Sequence, residues 1–144
     1  GERGYHMEFA NPGVELNHSV NDYDRAFVAS SMEGGVRCAG TSEFAGLEAA
    51  PNWRRAEMLQ ALGKSMLPTL NVAEGTPWMG RRPAVPDSVP VIGPVPSRKE
   101  VYMAFGHGHY GLTAGPMTGR IIAAMAGDER LNMDVTPYSV DRFS

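Results

Sequence analysis

The chain has 144 residues, 42% of them hydrophobic and 20% charged, with a formal net charge of −3 at pH 7. This is enough for one ordinary domain or for pieces of two, and the charge argues against a nucleic-acid partner, which needs a basic face. No apolar run reaches the length of a membrane span, no secretory leader pattern opens the chain, and the single cysteine, Cys38, excludes an internal disulfide and a cysteine-based zinc site.

In chain order, Tyr5 to Phe9 alternates as a strand and stops at Asn11-Pro12-Gly13, a strong turn signal. Residues 26–31 and 36–41 read as a hairpin across Met32-Glu33-Gly34-Gly35. Residues 42–50 read as loop. Pro51 then opens a helix at a position where a missing N–H costs little. Trp53, Ala56, Leu59, Leu62 and Met66 recur at helical spacing and form its expected buried face, and Pro68 ends it.

A change of texture between Asn71 and Thr76 marks the expected boundary, giving segments 1–75 and 76–144. Residues 76–97 are proline-rich and read as extended loop, with a short strand at 89–92. A second strand at 101–105 runs into Gly106-His107-Gly108-His109-Tyr110-Gly111, and a helix is predicted over 117–126. Trp78 and Trp53 read as core. The fold class expected is α+β.

The glycine loop is the most informative stretch. Three residues without Cβ let a ligand approach the backbone closely. A loop that opens into a helix presents unpaired amide N–H groups and a partial positive charge, which suits an anionic or electron-rich ligand. Gly106, Gly108 and Gly111 also match the dinucleotide fingerprint, but no second strand with an acidic residue follows, so the Rossmann reading of this loop is rejected. His107 and His109 could share one side of an extended segment, yet no third ligand completes a metal set. No metal is expected.

Three blocks carry a family resemblance. They are Trp78-Met79-Gly80-Arg81-Arg82-Pro83, then Pro86-Asp87-Ser88-Val89-Pro90-Val91-Ile92-Gly93-Pro94, then the loop 106–113 with Gly115-Pro116-Met117-Thr118-Gly119. Together with the ending Asp141-Arg142-Phe143 they resemble the C-terminal part of the D-amino-acid oxidase superfamily of FAD-dependent amine oxidoreductases. D-amino-acid dehydrogenases and glycine-oxidase-like enzymes of bacteria are the nearest likeness. Ser88 stands where the family usually has glycine. Residues 1–70 resemble, more loosely, the second half of the family's substrate domain.

The resemblance implies the C-terminal part of a substrate domain over 1–75 and of an FAD-binding domain over 76–144. It also implies an N-terminal flavin-binding βαβ segment that these residues do not contain. FAD is the implied cofactor, contacted by Gly106, His107, Gly108, Gly111, Leu112 and Thr113. A small amino-acid substrate is implied, contacted by Arg82, His109, Tyr110 and Tyr5, with Arg81 the alternative reading of the motif register for Arg82. The implied activity is oxidation of D-amino acids or related amines, with oxygen or a quinone as acceptor. No residue is expected to act as a general base.

A non-catalytic α+β domain that binds a carboxylate or a partner is the rival reading. Cytoplasmic location is expected, with the inner membrane face as a peripheral alternative. Self-association of the isolated chain is expected as well.

Overall fold

The computed structural model describes residues 1–144, and the chain divides into two compact units, Gly1–Arg81 and Arg82–Ser144. The fold is α+β. The first unit is a five-stranded sheet with one helix on it, and its first four strands pair antiparallel. Its strands are β1 (Glu2–Phe9), β2 (Val20–Asp22), β3 (Phe27–Met32), β4 (Gly35–Phe44) and β5 (Gly75–Arg82), in spatial order β2-β3-β4-β1-β5. The β3–β4 hairpin closes with Met32 opposite Gly35, as the turn signal predicts.

Alternation along β1 places Tyr5, Met7 and Phe9 on one face, where Met7 lies opposite Cys38 and Phe9 opposite Val36. With Phe27, Ala29 and Leu70 they form the core under helix α1 (Arg54–Met66). A bulge between Tyr5 and His6 leaves Gly40 without an opposite residue. Its Cβ, were it present, would lie 2.5 Å from the Ala26 carbonyl, so only glycine fits there. Burial pushes the Cys38 thiol up to about 11, so it is an inert core side chain at neutral pH.

The predicted helix face is right at its centre and wrong at its start. Ala56 and Leu59 are fully buried, Leu62 and Met66 pack partly against the core, and Gly63 adds to the buried face. Trp53 precedes the first turn and is exposed on one side, its ring edge-on to Tyr5 at 6.2 Å. Two strands go beyond the sequence reading. β2 is a three-residue polar edge. β5 lies inside the stretch read as loop, and it is also an edge strand, where Pro77 forfeits no ladder bond that a central strand would need. Its membership in the sheet is why the units divide at Arg81/Arg82 and not at residue 75.

The loop after β4 is organised by a buried guanidinium. Arg3, 1% exposed on the core face of β1, donates to the carbonyls of Ala50 (3.1 Å), Gly46 (2.5 Å) and Ala49 (2.6 Å). Glu43 lies 3.6 Å from it and accepts the Tyr5 hydroxyl at 2.6 Å.

In the second unit, β6 (Val91–Val95) and β7 (Arg98–Phe105) pair as an antiparallel hairpin. Helix α2 (Gly111–Ala126) packs on both strands through Thr118, Ile121 and Ala124. It starts six residues before the predicted 117, with Pro116 inside it. Gly111, Gly115 and Pro116 disguise this first stretch as loop, because each is a poor helix former. No helix is long and apolar enough to cross a membrane.

Candidate functional site

In the second unit the glycine loop is zipped to the segment that follows Arg82. The Gly108 N–H donates to the Pro83 carbonyl at 3.1 Å, and His107 forms an antiparallel bridge with Ala84. Gly106 sits at φ +83, and a Cβ there would come within 2.7 Å of Val85. Glycine at 106 is therefore required both by backbone conformation and by this close approach. The zipper brings Arg82, one residue before the hydrogen-bonded carbonyl, alongside the loop that leads into α2.

Beyond the zipper the loop is open. Gly108 takes φ +53 and nothing lies within 4 Å of where its Cβ would be. A 3-10 turn over Gly108–Tyr110 then runs directly into α2, whose first turn contains Leu112 and Thr113. N–H groups of a first turn have no intrahelical acceptors, and they carry the positive end of the helix dipole. Leu112 is 95% exposed, and His109 and Tyr110 are exposed beside it, their rings 6.4 Å apart. Backbone donors thus face an unobstructed surface that a planar, electron-rich ring system can cover. These residues fit the polar edge of a flavin.

His107 turns the other way. Its Nε2 lies 2.9 Å from Oγ1 of Thr118, which is on the buried face of α2. No feature of the sequence signals this contact, eleven positions apart across a loop. Tyr5 lies in the core of the first unit, where its hydroxyl donates to Glu43 and accepts the Asn52 N–H at 3.0 Å.

Trp78 is a correction to the core reading. It is 52% exposed on the outer face of β5, stacked on His6 at 4.7 Å with planes 12° apart. Its ring occupies the space a Cβ on Gly80 would need, 2.1 Å away. The pair flanks a groove of about 600 Å³ with Glu8, Arg37 and Thr76. Partial burial holds the His6 imidazole below its ordinary value, with Arg37 adding to the effect and Glu8 opposing it.

The remaining motif residues are structural. Arg142 donates through Nε to Asp87 Oδ2 at 2.7 Å and through a terminal nitrogen to Asp87 Oδ1 at 3.3 Å, and it also binds the carbonyls of Ser139 and Val89. Its guanidinium is thereby occupied, which removes it as a second carboxylate fork. Next to this clamp Ser88 takes φ +60, a conformation that glycine adopts at less cost than serine. The side-chain hydrogen bond from Arg142 holds the Asp87 carboxyl below its ordinary 3.8. A depressed folded value means that the pair contributes stability above the unfolded value and loses it as pH falls through the folded one. Proteolysis of the tail beyond Leu131 is therefore expected to accelerate in acid below about pH 4, and Arg142→Gln should give the fast rate already at pH 7. A tail equally resistant at both pH values in the wild type would disprove this.

The family is shown by sequence, and the solved structures add likeness of fold. The chain belongs to the family of FAD dependent oxidoreductases (DAO), whose model matches residues 1–125. It is 40% identical to a D-amino-acid oxidase of Bradyrhizobium diazoefficiens over 99% of this chain and 35% of that protein. It is 32% identical to a D-amino acid dehydrogenase of Paramagnetospirillum magneticum over 88% of this chain and 30% of the relative. Among solved structures, glycine oxidase from Geobacillus kaustophilus matches with a TM-score of 0.77 at 21% identity, over 96% of this chain and 38% of that one. The chain therefore spans about a third of the length of these relatives. The family's cofactor is FAD.

Proposed function

We propose that these residues are the C-terminal part of an enzyme that oxidises D-amino acids or related amines to imino acids, which water then converts to 2-oxo acids and ammonia. The observation that supports the reading is the zipper from Pro83–Ala84 to His107–Gly108, which ties the segment that follows Arg82 to the loop leading into α2. FAD, when bound, supplies the two-electron acceptor. Arg82 orients the substrate carboxylate with two parallel hydrogen bonds from its planar fork. The first-turn N–H groups of α2, at Gly111, Leu112 and Thr113, favour the added negative charge of a reduced ring system. Gly108, with open space around it, lets that ring approach the backbone, and Gly106 shapes the loop against Val85. His109 and Tyr110 line the substrate side. In this reading the first unit belongs to the substrate domain and the second to the FAD-binding domain.

The test is anaerobic mixing of D-amino acids with the flavin-loaded full-length enzyme that contains these residues, followed as loss of flavin absorbance. Arg82→Lys keeps the charge but not the paired contact. A lost charge-assisted hydrogen bond of about 1.5–3 kcal/mol corresponds to a roughly ten- to hundredfold fall in kcat/KM, mostly through KM. Arg81→Lys is expected to change little. Unchanged kcat/KM in Arg82→Lys would remove this residue from the site, and absence of bleaching with any amino acid would end the reading.

The isolated chain is expected to bind FAD weakly. Neither sheet here has a strand–loop–helix–strand crossover for the adenosine diphosphate end. Self-association is expected too. Val101 and Phe105 of β7 are exposed, as are Leu112 and Met117, and the outer face of α2 adds Gly115, Pro116, Gly119 and Ala123, with Thr113 and Arg120 its polar members. Such a surface does not stay in water unpaired. Light scattering across micromolar concentrations, with an FAD titration alongside, checks both statements. A compact monomer with micromolar or tighter FAD affinity would contradict them.

A further inference from the structure

Thr118 is 7% exposed on α2, so its hydroxyl must find a partner inside the protein. The partner is the His107 imidazole, at 2.9 Å. Thr118 lies seven residues after Gly111, about 10 Å along the helix axis. The histidine ring thus spans the first two turns of α2 from the loop that precedes them, and its Cβ lies 3.6 Å from the point where a Cβ on Gly111 would sit. The same residue's backbone bridges Ala84, its carbonyl accepts the Tyr110 N–H at 2.9 Å, and its neighbour Gly108 donates to Pro83. One residue therefore ties three parts of the second unit together. These are the segment after Arg82, the 3-10 turn, and the helix two turns beyond its start.

We propose that His107 is a positioning residue. Its bond to Thr118 holds the Arg82–Ala84 segment and the first turn of α2 in one register, so that a carboxylate on the arginine and a ring on the helix start are presented together. The second half of this statement rests on the functional reading above, whereas the brace itself does not. A brace of this kind is sensitive to its polar atoms and not to bulk. Thr118→Val keeps the shape of the side chain and removes the bond, and Thr118→Ser keeps the bond.

The first measurement is amide hydrogen exchange of the chain. Thr118→Val is expected to speed exchange at Gly108 about tenfold or more while β6 and β7 keep their protection. Thr118→Ser should stay near wild type, and His107→Phe added to Thr118→Val should bring no further change. An unchanged Gly108 rate in Thr118→Val, or additive effects of the two substitutions, would overturn the brace. The second measurement is steady-state kinetics of the flavin-loaded full-length enzyme that contains these residues. Thr118→Val should raise KM for the amino-acid substrate about three- to tenfold with a smaller change in kcat, and Thr118→Ser should restore it. An active enzyme with unchanged KM would overturn the positioning role. A protein that oxidises no amine but shows the exchange pattern would support the brace and reject the functional reading instead.

Discussion

Arg3→Leu is expected to destabilise the first unit by about 3–5 kcal/mol, the scale for removing one partner of a buried ionic network. Leucine fits the apolar requirement of the site but leaves the other partners behind. The carbonyls of Gly46, Ala49 and Ala50 lose their donor, and Glu43 loses one of the two cations near it. Arg55, 3.6 Å from Glu43 on its other side, limits the loss to the low end for the carboxylate alone. The carbonyls belong to exposed residues, so water takes up part of their loss and the remaining cost is the anchoring of the loop and the emptied space around residue 3. Both tryptophans, Trp53 and Trp78, lie in this unit, so urea unfolding followed by their fluorescence reports on it directly. A loss below about 1 kcal/mol with an unchanged urea slope would show that the loop 45–50 is held by something else.

Leu59→Ala is the second large effect, a loss of about 2–5 kcal/mol. Leu59 is 0% exposed in the cluster that joins α1 to β1 and β4. Its neighbours are fixed from both sides, by strand pairing below and by the helix above, so the cavity cannot collapse far. That places the expected cost in the upper half of the range. Leu62→Ala, three residues on and only partly buried, should cost clearly less. Equal losses at the two positions would mean that the helix is not seated on the sheet through Leu59.

How far the sequence foretold this structure depends on how local each signal is. The spacing of Ala56, Leu59, Leu62 and Met66 is a repeat within one element, and it correctly identified α1. The β3–β4 turn was legible for the same reason. β5 was not, because an edge strand tolerates Pro77 and Gly80, and those residues are read as loop formers. Nor was the start of α2, where Gly111, Gly115 and Pro116 suppress helix propensity in a segment that tertiary packing nevertheless holds helical.

At the site, the loop glycines and Arg82 stood out through their motifs. The burial of Arg3 did not, although its two-residue spacing from Tyr5, and through it from Met7 and Phe9, was the available sign that it shares the inner face. The His107–Thr118 bond and the Arg142–Asp87 clamp join residues distant in sequence, and no window of local pattern contains both partners.

The order of strands has a consequence for synthesis. β1 is the first element of the 144 residues and sits inside the sheet, between β4 and β5. Phe9 therefore leaves the ribosome well before Phe44, the last residue of the strand it will flank. At about 5–20 residues per second the wait is roughly 2–7 s, and longer again before β5 arrives. During that time Tyr5, Met7 and Phe9 form a short apolar strand with both edges unpaired, a form that invites wrong partners. The hairpin of β3 and β4, whose strands are joined by a tight turn, can form alone and serve as the template on which β1 docks. Substitutions that weaken the hairpin would then lower soluble yield more than their effect on the finished fold suggests.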